Sequence, residues 1–201
     1  MAAPRTIVAV AVLAAMAGAG ASLLFQPRIA QRLAATDAGQ RVLDAALKAK
    51  SAAPPPGAIV AERGGIVPAM TLLDPDGRKV ALPAAWAGRP TLVNLWATWC
   101  APCLKEMPDL QAFAAQQGPA GVRVVGIALD DAAAVRDFLR AHGIRYPVLV
   151  DAPGPADAGV RLGNPAGVLP YSVLVSAEGR VLKTRIGPFE DAAGIADWAL
   201  D

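Results

Sequence analysis

Two cysteines, one histidine and 5% aromatic residues in a chain of 201 leave few ways to build a functional site. Two thiols close at most one disulfide within the chain, so a disulfide-stapled scaffold is excluded. One histidine and two cysteines also fall short of the four ligands of an all-Cys/His zinc site. Charged residues make up 18% and the net charge is +2. That is no concentrated basic face, so nucleic acid is not an expected partner. The apolar fraction, by contrast, is 54%, too high for a disordered chain. A mean hydropathy of +0.38 points to a segment that prefers lipid. The length suits one domain of ordinary size plus an appendage.

The appendage lies at the front. Residues 1–63 carry seven Lys/Arg against three Asp/Glu, whereas residues 64–201 carry twelve against fourteen. After Arg5, the twenty residues Thr6 to Phe25 contain no charge, which as a helix is about 30 Å and spans a bilayer core. Residues 1–27 therefore read as a membrane anchor. The alternative is a cleaved signal peptide, with Arg5 ahead of the apolar stretch and Ala19-Gly20-Ala21 as its cleavage site. Either way, the remainder of the chain is exported. Residues 28–64 form the next segment. From Arg28 to Lys50, Ile29, Leu33, Val42, Leu43 and Leu47 recur near the helical period and predict an amphipathic helix. Ser51 to Gly57 (SAAPPPG) then reads as a linker, because its prolines donate no amide and favour extended geometry. The folded domain is expected to occupy residues 65–201.

Within that domain, Met70–Leu73 and Lys79–Leu82 flank Asp74-Pro75-Asp76-Gly77, a turn signal that predicts a β-hairpin. Thr91–Ala97 is an almost unbroken apolar run, as in a central strand covered on both faces. A helix is expected over Cys103–Gln117, a strand over Val122–Leu129, and a helix over Asp131–His142 with Asp130 as its cap. A strand at Tyr146–Val150, a hairpin of Tyr171–Ser176 with Arg180–Ile186, and a helix over Glu190–Leu200 complete an α/β pattern. It implies a mixed central sheet with helices on both faces. His142, at a helix end before Gly143, is expected to serve as a cap or dipole partner.

The chemistry is expected at Trp96-Ala-Thr-Trp-Cys100-Ala-Pro-Cys103, where a central strand hands over to a helix. Three residues is close to one helical turn, so the two sulfurs can bond with little backbone movement. Amides and dipole at a helix N-terminus stabilise a thiolate. Cys100 is thus the expected exposed nucleophile that forms a mixed disulfide, and Cys103, one turn deeper, the thiol that resolves it. Pro102 suits an early helix position and restricts the loop. Pro108, further along, removes a helical hydrogen bond and predicts a kink. Trp96 is expected to pack in the strand and Trp99 to form an apolar lip beside Cys100. Glu106 continues an i, i+3, i+6 series with the cysteines. A partly desolvated carboxyl there suits proton traffic with Cys103; the alternative is a solvated residue paired with a neighbour such as Lys105. A lone Cys-x-x-Cys can also be a structural bridge, half of an intermolecular metal site, or part of a non-catalytic module.

The segment LVNLWATWCAPCLKEMPDL resembles the active-site signature of the thioredoxin superfamily, and specifically its membrane-anchored TlpA/ResA-like branch, close to the cytochrome c maturation thioredoxins. The similarity covers roughly residues 65–201. It implies a thioredoxin fold with an added N-terminal hairpin and a redox-active Cys100–Cys103 disulfide that needs no other cofactor and no metal. Val168-Leu169-Pro170-Tyr171 resembles the cis-proline loop that faces the disulfide and holds a partner's backbone, so Leu169 and Pro170 join Trp99 and Pro102 as expected substrate-binding residues. Glu106 matches the branch's acidic residue, while Asn94 stands where ordinary thioredoxins carry a buried aspartate. Tyr171-Ser172 departs from the acidic residue and threonine of many cytochrome-maturation relatives. The resemblance implies a protein-disulfide reductase in the periplasm, held at the inner membrane by its N-terminus or soluble after signal cleavage. Its expected partners are exported proteins with cysteine pairs, as in cytochrome c maturation or metalloprotein assembly, and a membrane electron donor such as a thiol reductase. The competing expectation is a non-catalytic thioredoxin-like binding or metal-handling module.

Overall fold

A computed structural model describes residues 36–201. The expected anchor, Thr6 to Phe25, and the front of the amphipathic helix lie outside the described residues. No helix among the described residues is long and apolar enough to cross a membrane. Helix α1, Asp37–Lys50, opens on Asp37 and closes on Lys48 and Lys50, charges that complement the helix dipole at each end. The chain divides between Ala45 and Ala46 into two units, the second of which, Ala46–Asp201, holds the sheet.

Seven strands make that sheet. The hairpin β1 (Met70–Leu73) and β2 (Lys79–Leu82) is followed by β3 (Thr91–Trp96), β4 (Arg123–Leu129), β5 (Val148–Asp151), β6 (Tyr171–Val175) and β7 (Val181–Ile186), in the order β2-β1-β5-β4-β3-β6-β7. The Asp74 carboxylate accepts the Asp76 and Arg78 amides at 2.9 Å each, and so closes the first hairpin. Strands β3, β4 and β5 are parallel, while β1, β6 and β7 run against their neighbours.

Helix α2 (Ala101–Gln116) connects β3 to β4, and helix α3 (Ala132–His142) connects β4 to β5. Both crossovers step the same way across the sheet, so the right-handed rule places both helices on one face. Leu92 and Trp96 of β3 pack on that face with Met107, Leu110 and Phe113 of α2, Val135 of α3, and Ile195 of the terminal helix α5 (Ala192–Leu200). Val93 and Leu95 face the other way, onto Val125, Ile127, Val173, Trp86 and Leu162. A short helix, α4 (Ala158–Arg161), and the 3₁₀ turn Ala84–Trp86 help cover this second layer. All six residues of β3 are buried. The segment before β1 lies along the far edge, with Ile66 bridged to Arg180 and the Ala61 amide bonded to the Arg161 carbonyl at 2.8 Å.

Several boundaries differ from the sequence reading, each for a local reason. Helix α2 begins at Ala101 rather than Cys103, with Cys100 as its N-cap, since Pro102 lacks only an amide that the first turn leaves unbonded. Helix α3 is capped by Asp131, whose carboxylate accepts the Ala133 and Ala134 amides. The expected cap, Asp130, instead bonds Thr98. Pro147 has no amide to give a ladder, and β5 starts after it, leaving Tyr146 outside the strand. Helix α5 starts two residues later than expected, behind the Asp191 cap.

Candidate active site

Cys100 and Cys103 form a disulfide, with Cα atoms 5.3 Å apart, at the point where β3 delivers the chain into α2. The Cys100 amide donates to the Ala97 carbonyl, and the Leu104 amide to the Cys100 carbonyl, both at 3.1 Å. No side chain caps α2, so its first amides and the helix dipole are directed at the sulfur-bearing turn. The exposure expected of Cys100 is not what the oxidised form has: 5% of Cys100 is accessible and none of Cys103. In the disulfide, Cys100 belongs to the same buried cluster as Cys103 and Met107. Trp99, in contrast, is 69% exposed and Pro102 is exposed. Trp96 is wholly buried, its ring 5.3 Å from that of Phe138.

The loop ahead of Cys100 has an anchor that sequence reasoning missed. One oxygen of Asp130, at the end of β4, accepts both the Thr98 amide at 2.9 Å and the Thr98 hydroxyl at 2.5 Å. Burial pushes this carboxyl up, but the bonds from Thr98 and the Asp131 amide together outweigh it and hold it below its ordinary value. Thr98 lies two residues past β3 and Asp130 one past β4, each in the short loop ahead of a helix, and that placement is the sequence trace of the pairing.

Beneath the disulfide lies a buried polar group. Glu106 is 2% exposed, which removes the solvated, Lys105-paired alternative. One carboxylate oxygen accepts the Asn94 amide nitrogen at 2.9 Å and the other accepts the Phe189 backbone amide at 2.8 Å. Asn94 also donates to the Ser172 hydroxyl at 3.1 Å. Burial pushes the Glu106 carboxyl up from 4.5 to about 7, against the pull of these two donors and of the Arg185 charge. A group that gains and loses its proton near neutrality is thereby set one helical turn beyond Cys103. Gly126, paired with Asn94 across β3 and β4, leaves this layer room. A Cβ there would lie 3.0 Å from Trp96 Nε1 and 3.3 Å from the Tyr146 ring.

Leu169-Pro170 is a cis peptide at the entry to β6. Leu169 is half-buried and packs on both apolar layers, and Pro170 is buried. The loop before it is tied by Asn164, which donates to the Val168 carbonyl at 2.9 Å and accepts the Val168 amide at 3.2 Å. Among the described residues, no group of three or more His, Cys, Asp or Glu is placed to hold a metal ion. His142 stacks on Phe138 at 3.9 Å and its Nδ1 lies 2.9 Å from the Phe138 carbonyl, a helix-end position on the exposed side of α3.

With this geometry in place, similarity to known proteins is decisive. A family model described as Redoxin matches residues 62–198. The chain belongs to the Redoxin family. It is 30% identical over 149 residues to sporulation thiol-disulfide oxidoreductase A of Bacillus subtilis, covering 71% of this chain and 86% of the relative. To thiol-disulfide oxidoreductase ResA of Bacillus thuringiensis it is 31% identical over 127 residues, covering 62% and 69%. The crystal structure of StoA from Bacillus subtilis superposes with a TM-score of 0.52 at 26% identity, covering 66% of this chain and 97% of that one. The fold is thioredoxin-like, and the protein is a thiol–disulfide oxidoreductase.

Proposed function

We propose that the protein reduces disulfides in exported proteins, acting from the outer side of a bacterial inner membrane to which residues 6–25 tether it. The observation that carries the reading is a disulfide at the head of α2 with a buried carboxyl, poised near pH 7, one turn beyond it. In the reduced enzyme, the Cys100 thiolate attacks one sulfur of a partner disulfide. A Cys100–partner bond forms and a partner thiolate leaves. Cys103 gives its proton to Glu106, and its thiolate then attacks the Cys100 sulfur. The Cys100–Cys103 disulfide closes and the second partner thiolate leaves, so two electrons pass to the partner. A membrane thiol reductase returns the two electrons to the enzyme.

Trp99, Pro102, Leu169 and Pro170 form the partner-binding lip around the sulfurs. The exposure of Trp99 supports this, because a large aromatic left in solvent beside a reactive group is an apolar contact for a docking chain. The reductive direction rests on the likeness to ResA-type relatives, and a haem-attachment cysteine pair or a metalloprotein precursor is the proposed substrate. The chemistry takes place between sulfurs, and neither an organic cofactor nor a metal takes part.

The test is turnover of a protein disulfide with dithiothreitol. Cys100→Ser abolishes it, and Cys103→Ser accumulates a mixed disulfide with the partner. Equilibration in a thiol buffer then gives direction: a potential near about −270 mV marks a reductase and one near about −120 mV an oxidase. Absence of turnover together with stoichiometric copper or zinc binding would establish the metal-handling module instead.

A further inference from the structure

The second donor to Glu106 is the backbone amide of Phe189, and that amide lies in the turn between β7 and α5. The turn is held from one side by the Gly187 amide, which donates to the Pro170 carbonyl at 2.9 Å. From the other side it is held by Arg185. This residue stands opposite Ser172 in the β6–β7 register, so its side chain leaves the sheet on the face that carries Ser172, Asn94 and Glu106. Its guanidinium donates from Nη2 to the Pro188 carbonyl at 3.0 Å and lies 4.8 Å over the Phe189 ring. Its Nε is buried and has no hydrogen-bond partner among the described residues.

We infer that Arg185 is a positioning residue for the redox site: it clamps the Pro188–Phe189 turn whose amide binds Glu106, and its charge favours the ionised carboxylate. An arginine fits both tasks because its planar fork bonds a carbonyl while its flat face stacks on an aromatic ring. Burial holds the Arg185 pKa below its ordinary value, while the Glu106 and Glu190 charges act to raise it. Asp109 of α2 opposes Arg185 at Glu106, while Tyr146 stays a neutral phenol, its pKa pushed up by burial and by the Glu106 charge. Asn94, a neutral group, bonds the Glu106 carboxyl and in turn bonds the neutral Ser172. Lys183, two residues along β7, holds its ammonium 5.6 Å over the Trp198 ring. Among the described residues, Arg185 is thus the cation that acts on Glu106, and the pH at which the site changes protonation should follow it.

This inference rests on Glu106 as the proton carrier of the exchange, and the test separates the two. The Glu106 carboxyl is titrated by carbon NMR in the full-length protein, alongside the pH profile of thiol exchange. Arg185→Gln and Arg185→Met both remove the charge. The second keeps an aliphatic stem over Phe189, so that one folded neutral variant suffices. The Glu106 midpoint should rise by roughly half a pH unit or more in either, and Arg185→Lys should bring it back toward the wild-type value. The acidic limb of the exchange profile should move by the same interval. Neutral variants that fold and titrate at the wild-type midpoint would overturn the inference. A shifted Glu106 midpoint with an unmoved exchange profile would uphold it and reject Glu106 as the proton carrier.

Discussion

The two faces of the central sheet are buried to the same depth and differ in what they bury. On the side of Val93, Leu95, Val125 and Val173, the polar groups are self-contained: the Tyr171 hydroxyl donates to the Gly163 carbonyl, and Asn164 bonds twice within its own loop. On the side of α2, the layer holds Asn94, Glu106 and Ser172 at 2% exposure or less. The buried side-chain atoms without a partner among the described residues, Asn94 Oδ1, Trp96 Nε1, Tyr146 OH and Arg185 Nε, all lie on this side. Buried polar groups are normally paired, because each unpaired one forfeits its hydration. They gather behind the disulfide, so under the proposed mechanism one layer serves stability and the other gives up some of it to a buried proton carrier.

That contrast can be broken in steps. The largest effect is expected at the sulfurs, where Cys100→Ser should remove all disulfide turnover while far-UV circular dichroism stays unchanged. Next is the apolar layer. Leu95, fully buried, should lose about 2–5 kcal/mol of stability on substitution by Ala, read by urea denaturation, with no change in the pH profile of exchange. A shifted profile would mean that the layers are not separate.

Third is the pH dependence of stability from Glu106. Its carboxyl is raised from 4.5 unfolded to about 7 folded, so the folded state keeps a proton that the unfolded chain releases. The Glu106 contribution to stability is therefore full below about 4.5 and is lost as pH rises through about 7, by roughly 3 kcal/mol in all. Glu106→Gln should flatten that slope, because Gln carries no charge to desolvate and Asn94 can turn its unpaired oxygen toward it. The smallest effect is remote from both layers: Asp131→Ala removes the cap of α3 and should cost about 1 kcal/mol without altering exchange.

The elements that carry their own signal were legible in the sequence. Asp74 to Gly77 announced its hairpin because the turn bonds are made within five residues. The run Thr91–Trp96 announced a doubly covered strand because its apolar side chains, Leu92, Val93, Leu95 and Trp96, alternate onto both faces. Cys100, Cys103 and Glu106 could be aligned because a helix fixes their spacing. What escaped was set by distant parts of the chain. Phe189 reaches Glu106 across 83 residues through a backbone amide, which has no residue signature at all. Ser172 meets Asn94 across 78 residues, and its place after Pro170 gave no hint of the bond. Asp130 and Asp131 are adjacent acids with equal claim to the cap. Only the Thr98 loop, 32 residues away, decides between them.

The central claim is that the buried carboxyl behind the disulfide takes the proton from Cys103 as the exchange completes. Its most direct test is the rate at which Cys103 resolves a preformed Cys100 mixed disulfide, measured from pH 5 to 9 in wild type and Glu106→Gln. Wild type should show an inflection near the Glu106 pKa of about 7, lost in Glu106→Gln together with a roughly 10²-fold fall in rate at neutral pH. Superimposable profiles for the two proteins would contradict the claim.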